Sequence, residues 1–434
     1  MTQLLLTRGT LLDPSQKSPR EADLLIVDGK IAEIGPALKA HAPNAQILDC
    51  QNLYIAPGLI DIHVHFREPG QEAKETIASG AAAAVAGGFT TVCCMPNTTP
   101  ALDNDTQIGY VYTRAREAAL CHVLPIGAIT KGRKGEELAE MALMHAAGAV
   151  GFSDDGIGVA SASVMLKALQ YVKMLGSILT QHCEEHSLSG GPMNAGPTAV
   201  KLGLAGLPAA AEELMIARDL LLNKRIGARY HVQHISTAGA VELVRQARRS
   251  GQPVTAEVTP HHLLLTDEAC ATLNGGYDTS TKMNPPLRSQ ADVDACIQGV
   301  IDGTIDCLAT DHAPHTREEK ELEFDKAPFG IVGLETALPL YAKALVEPGH
   351  LTWLQLIEKM TAAPARIMNL PATKGTLALG APADLTLFHP NDPWTINPAN
   401  FHSKSTNTPF TNWQVHPRIK HTLLSGKIIY ADPR

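Results

Sequence analysis

The chain has 434 residues, too many for one ordinary domain core and enough for a large barrel with a smaller unit beside it. A formal net charge of -8, with no run of Lys or Arg, argues against nucleic acid or an anionic membrane as the main partner. The first residues carry neither a basic segment nor a long apolar one, and the eight cysteines form no CxxC pair, so a cytoplasmic protein with buried, reduced thiols is expected.

Residues 1–57 contain short strand-like pieces with turn signals, and Asp28-Gly29 between apolar runs predicts a hairpin. From about Leu59 to Leu308 one unit repeats: an apolar strand-like run ending in polar residues or Gly, then an Ala-rich amphipathic stretch. The predicted strands are Ile60–His65, Thr90–Met95, Val123–Ile129, Val150–Ser153, Ile178–His182, Tyr230–Ile235, Val254–Val258 and Ile305–Ala309. Helices are predicted over Glu72–Ala86, Glu136–Ala146, Ser163–Leu175, Ala210–Asn223 and Ala238–Arg249. Eight such units are the number that closes a (β/α)8 TIM-type barrel, with a doubly wound open sheet as the runner-up. Strand-like runs return at Ala383–Phe388 and His421–Tyr430. Residues 1–57 and 370–434 are therefore expected to pair into one small β-sandwich domain beside a catalytic α/β barrel of residues 58–369.

In such barrels the working residues sit at the C-terminal ends of the strands. Strand one ends in His63-Val64-His65, whose imidazoles point the same way because side chains alternate along a strand. A bare HxH is more often one packed and one solvated histidine than a metal site. Strand four, however, ends in Asp154-Asp155, strand five in His182, strand six in His234 and strand eight in Asp311. His and Asp gathered at one rim from five strands are what a divalent metal needs, and they are too many for one open tetrahedral site. Two metals bridged by a carboxylate and a hydroxide would use them all.

The runs DIHVHFREPG, MPNTTP, GFSDDG, QHCEEHSLSGG, HVQHIST, TPHHLLLT, YDTSTKMNPPLR, LATDHAPHT, APFGIVGLET and KGTLALGAPADLTLF stand in this order. Together they resemble the dihydroorotases of the amidohydrolase superfamily, in the long bacterial class I form. The resemblance spans nearly the whole chain. It implies zinc-dependent, reversible cyclisation of N-carbamoyl-L-aspartate to (S)-dihydroorotate in pyrimidine biosynthesis. By the same resemblance His63, His65 and Asp311 hold one zinc, and His182 and His234 the second. Many relatives bridge the metals with a carboxylated Lys. Val150–Gly156 contains none, so an Asp bridge is implied, with Asp155 the better match by spacing and Asp154 the alternative.

Hydrolysis of a cyclic amide needs activated water, a polarised carbonyl, a proton donor for the leaving nitrogen and, for this substrate, a carboxylate clamp. Asp311, a metal ligand beside the nucleophile, is expected to be the general acid/base. Arg67, two residues past His65 and on the same side while strand geometry persists, suits bidentate carboxylate binding. The resemblance adds His65, Asn97 and His315 to the substrate-binding residues, Asn284 as a contact to the ring, and backbone at Phe329-Gly330. It also admits a homodimer and a complex with aspartate transcarbamoylase. The charged segment 316–328 is a candidate cover over the site. The competing readings are a hydantoinase or allantoinase, disfavoured by the missing Lys and by FREPG, and a non-catalytic assembly partner of the transcarbamoylase, disfavoured because every ligand position is kept. Gln233, and Ser280 where many relatives have Asn, are the few departures, and neither removes an assigned role.

Overall fold

A computed structural model describes residues 2–433. Two arcs of parallel strands form its α/β part. The first joins Leu59–Val64, Phe89–Cys94 and His122–Pro125; the second joins Ile178–Gln181, Arg229–Val232, Val254–Val258 and Cys307–Leu308. Single parallel bridges connect the arcs, Gly127–Phe152–Leu179 on one side and Val64–His312 on the other. Every residue of Leu59–Val64 and Phe89–Cys94 is buried, and these strands lack polar alternation because both faces are covered.

Helices cover the outside. Ile77–Ala86, Ala162–Leu175, Ala238–Arg249 and Gln290–Ile301 begin on Thr76, Ser161, Thr237 and Ser289, each of whose hydroxyls accepts the otherwise orphaned amide three residues on. Ala209–Ile226 is longer than the sequence pattern suggests. Two helices are shorter: Glu72–Ala86 begins only at Ile77, and Glu136–Ala146 only at Met141. Predicted strand four is reduced to one residue, Phe152, with a bridge on each side, because the chain turns at once to give the Asp154 carboxylate to the amides of Ile129 and Thr130.

The terminal strands form one eight-stranded sheet drawn from both ends of the chain. Tyr54–Pro57 joins the ends, pairing parallel with Gln3–Leu11 and antiparallel with Leu385–His389. The Asp28-Gly29 hairpin turns through φ of 47° and 79°, between Arg20–Val27 and Lys30–Gly35. Alternation sorts the N-terminal leucines by face: Leu4 and Leu6 pack with Leu24, Ile55, Leu385 and Leu423, whereas Leu5 packs with Leu25 and Leu38.

The segment between Trp394 and Val415 leaves this sheet. Its Ile396, Phe410 and Val415 pack against Leu265, Leu287 and Leu340 of the helical part. Ser403 bonds Glu75, and Asn407 bonds the loop after the last parallel strand. All eight cysteines are buried and free. Among the described residues, no helix is long and apolar enough to cross a membrane.

Candidate metal centre

His63, His65, Asp155, His182, His234 and Asp311 converge at one end of the parallel strands, each at most 4% exposed. The Nε2 atom of His63 lies 3.3 Å from Asp155 Oδ1 and 3.5 Å from Asp311 Oδ1. His65 Nε2 is 2.8 Å from Asp311 Oδ1, and its Nδ1 donates to the side-chain oxygen of Asn97 at 2.8 Å. His234 Nε2 is 3.8 Å from Asp155 Oδ1 and 2.9 Å from Nδ1 of His182. Two ligand-bearing residues have left-handed backbone, His234 at φ 30° and Asp311 at φ 48°. Outside glycine such conformations persist only where the surroundings enforce them, and they concentrate at functional sites.

The donor set fits a divalent metal. His63, His65 and Asp311 offer ligand atoms within 4.8 Å of one another, and so do His63, Asp155 and His234. The two groups overlap at His63. Nε2 of His63 and Oδ1 of Asp155 face each other, buried and without a hydrogen-bond partner, an arrangement that is costly unless a cation completes it. Although burial alone would raise their pKa values, the facing imidazoles, His63 foremost, hold Asp311 at about 2 and Asp155 well below the usual carboxylate range. Imidazole nitrogen with carboxylate oxygen is a set that suits zinc and neighbouring divalent ions. His182 stands outside both groups, set against His234 and against Glu184, whose Oε2 is 3.1 Å from its Nε2.

The two adjacent aspartates divide cleanly. Asp155 faces the histidines, whereas Asp154 accepts the amides of Ile129 and Thr130 at 2.8 and 3.0 Å and the Thr130 hydroxyl.

A cavity of about 280 Å³ opens onto the cluster, lined by Arg67, Asn97, Asn284, His315 and Phe329 together with His65, Asp155, His182, His234 and Asp311; His63 lies behind Asp155 and Asp311 and does not line it. Arg67 reaches it by a route other than strand alternation. The strand stops at Val64, Arg67 has φ 61°, and its Nε is fixed by the carbonyl of Pro314 at 3.2 Å. Its neighbour Glu68 pairs instead with Arg114 at 2.7 Å. His315 directs Nε2 at the carbonyl of Phe329, 2.8 Å away, with Arg67 at 3.4 Å. Burial first, then the charges of Arg67 and Lys74, keep His315 neutral, far below the usual histidine pKa. Asn284 donates to Glu184 beside His182. Gly330 does not line the cavity: its amide bonds Lys282 and its carbonyl receives Lys320 and Asn407. A Cβ there would lie 2.5 Å from the carbonyl oxygen of Ala313, so the turn requires glycine.

The charged segment 316–328 is more firmly tied than its composition suggests. Lys320 is buried and donates to the carbonyls of Pro328 and Gly330 at 2.9 and 3.2 Å, and Phe324 is buried with Met193 and Cys270. Sequence reasoning also missed Glu257 and Glu184, which bond His63 and His182. Glu257 carries a visible signal, a lone charge inside the apolar run Val254–Val258; Glu184 sits in a loop among other polar residues and carries none.

Comparison with known proteins came out as follows. Residues 53–240 match the family model described as dihydro-orotase-like, and residues 328–430 match that of the amidohydrolase family. The chain is 52% identical to a dihydroorotase of Pelotomaculum thermopropionicum over 99% of both chains. It is 46% identical to a dihydroorotase of Syntrophus aciditrophicus, over 99% of this chain and 100% of that one. Among solved structures it resembles the L-hydantoinase (dihydropyrimidinase) of Arthrobacter aurescens, with a TM-score of 0.88 and 27% identity over 99% of this chain and 96% of the other. A D-hydantoinase (dihydropyrimidinase) from Thermus sp. gives a TM-score of 0.84 and 26% identity over 98% and 94%.

Proposed function

The chain belongs to the dihydroorotase family of the amidohydrolases, and from that premise we propose that it interconverts N-carbamoyl-L-aspartate and (S)-dihydroorotate at the cluster around His63. It is a cyclic-amide hydrolase, and the step it supplies belongs to pyrimidine biosynthesis. One observation carries the site assignment: Oδ1 of Asp155, buried without a hydrogen-bond partner and 3.3 Å from the equally unpartnered Nε2 of His63, belongs to a residue lining the same cavity as Arg67.

In this reading His63, His65 and Asp311 would hold one zinc and His182 and His234 a second, with Asp155 available to both. Zinc bound there would polarise the amide carbonyl and lower the pKa of water toward ~7. Asp311 carries the proton. Its carboxylate accepts one from the attacking water and returns it to the ring nitrogen, and in the synthetic direction the same oxygen protonates the departing water. Arg67 holds the substrate carboxylate with its planar fork, assisted by Asn97 and by His315, whose Nε2 proton must leave the Phe329 carbonyl to reach it. Asn284 faces the ring, and Asp154 keeps the strand-four turn in shape.

The same reading extends to the architecture. The parallel bridges at Phe152 and from Val64 to His312 support closure into a (β/α)8 barrel over residues 58–369, with the terminal sheet curling into a sandwich beside it. The hydantoinase alternative has only the shared shape in its favour, since no Lys stands between Val150 and Gly156.

The test is turnover of dihydroorotate, hydantoin and allantoin by purified protein before and after chelation, with metal counted per chain. Dihydroorotate should be the substrate, with activity lost on chelation and restored by zinc. Turnover of hydantoin without dihydroorotate would overturn the assignment, and one metal per fully active chain would remove the binuclear part of it.

A further inference from the structure

Directly beneath the cluster lies a carboxylate that the reaction above does not use. Glu257 is 1% exposed, in the strand Val254–Val258, and both of its oxygens are engaged. Oε1 is 2.6 Å from Nδ1 of His63 and also accepts the backbone amide of His234 at 3.3 Å. Oε2 is 3.1 Å from Nε2 of His231, whose Nδ1 meets the hydroxyl of Thr255 at 2.8 Å. An ionised carboxylate only accepts, so the protons of these contacts sit on Nδ1 of His63 and Nε2 of His231. With Nδ1 committed to Glu257, Nε2 is the nitrogen of His63 that faces Asp155 and Asp311.

We infer that Glu257 is a positioning residue of the metal centre: it fixes the tautomer and tilt of His63 through Oε1 while holding the backbone of His234, and His231 keeps the carboxylate aligned from below. The inference rests on the reading of His63 as a metal ligand. Two features of the geometry favour it over simple core packing. One carboxylate oxygen contacts ligands from both halves of the cluster, and the backbone it holds is the left-handed His234, a conformation that needs an external anchor. Carboxylates that accept from the far nitrogen of a metal-bound imidazole typically change metal affinity ~10- to 100-fold when removed. His231, Glu257 and Cys307 also lie close enough to form a ligand group of their own. The carboxylate oxygens and both nitrogens of His231 already have hydrogen-bond partners, which disfavours a third ion there.

The experiment compares the full-length wild type with Glu257→Gln, Glu257→Asp and His63→Asn. It measures metal content after dialysis, the rate of zinc release to a chromogenic chelator, and the visible spectrum of the cobalt-loaded protein. Glu257→Gln should release one metal equivalent roughly 10- to 100-fold faster than wild type, with an altered cobalt spectrum and unchanged circular dichroism. Glu257→Asp keeps the charge but withdraws the oxygens by one methylene; it should also release metal faster, whereas a purely electrostatic role would leave retention unchanged. Wild-type retention in both Glu257 variants, alongside loss of one equivalent in His63→Asn, overturns the inference and leaves the metal-site reading standing. Wild-type retention in His63→Asn overturns both. A wild-type content above two equivalents that drops by one in Glu257→Gln, with an unchanged cobalt spectrum, overturns the inference in favour of a separate ion below.

Discussion

The cavity end of the parallel strands and the terminal sheet use buried side chains in opposite ways. At the cavity, His63, Asp155 and His234 each bury a polar atom without a partner, and His234 and Asp311 hold left-handed backbone. In the terminal sheet the leucines sort onto two faces, and the buried Asp384, just before the strand Leu385–His389, is engaged by Lys374 at 2.6 Å and the amide of Ser425 at 2.8 Å. The difference is between a region whose buried polar atoms stand unpaired beside an open cavity and a region whose buried carboxylate is paired in place. Substitutions at the first should cost activity with little loss of stability, and those at the second should do the reverse.

The largest expected break is Asp311→Asn. It should lower kcat for dihydroorotate by ~10²- to 10⁴-fold, while urea unfolding of the metal-free protein stays unchanged or moves to higher midpoint, because a buried charge has been removed. A fall in stability comparable to the loss of activity would abolish the contrast. Phe388→Ala tests the other side. Its ring is fully buried against Tyr54 and Trp353, at centroid distances of 5.5 and 5.3 Å. Truncation should cost about 3–5 kcal/mol in denaturant unfolding, with kcat per folded molecule unaltered.

Asp384→Asn sharpens the comparison through pH. Burial alone would raise its pKa, but contacts from His122, Lys374 and the Ser425 amide hold it below the ordinary range. A depressed folded pKa contributes stability that is present above the unfolded value of about 4 and is lost as pH falls through the folded value. The variant should therefore be about 1.5–3 kcal/mol less stable near neutrality, with the gap closing below about pH 4 in pH-dependent unfolding curves. The smallest change is Arg67→Lys, which keeps charge and loses the fork. KM for dihydroorotate should rise by roughly tenfold, equivalent to about 1.4 kcal/mol, with the unfolding midpoint unmoved. An unchanged KM would remove Arg67 from the carboxylate clamp.

Much of this was legible in the sequence because periodicity is local. Each of the seven parallel strands overlaps a predicted one, although His122–Pro125 and Cys307–Leu308 stop short of the predicted Val123–Ile129 and Ile305–Ala309, and most of the side chains singled out at their ends, His63 excepted, line one cavity, because a strand end fixes where its last side chains point. What failed was whatever depended on distant contacts or on departures from ideal geometry. Arg67 lines the cavity, but through a left-handed residue and the Pro314 carbonyl rather than continued alternation. Strand four shrank to one bridging residue because Asp154 found partners 24 and 25 positions away. Glu257 gains its meaning from His63, 194 positions earlier in the chain. Segment 394–415, grouped by position with the terminal strands, is held elsewhere by its own apolar residues.

Asn407 bears on how the protein is made. Its side-chain amide donates to the carbonyls of Ala313 and Gly330, and its oxygen accepts the amide of His315, so it braces the loop carrying His315 and the turn at Phe329. A chain emerging from the ribosome in order of synthesis has all the histidines and aspartates of the cluster well before it has this brace. The part of the cavity wall at His315 and Phe329 is thus braced only after residue 407 has emerged. A product terminated shortly before that point would carry every histidine and aspartate of the cluster and still lack the three side-chain bonds by which Asn407 braces the loop at His315 and the turn at Phe329.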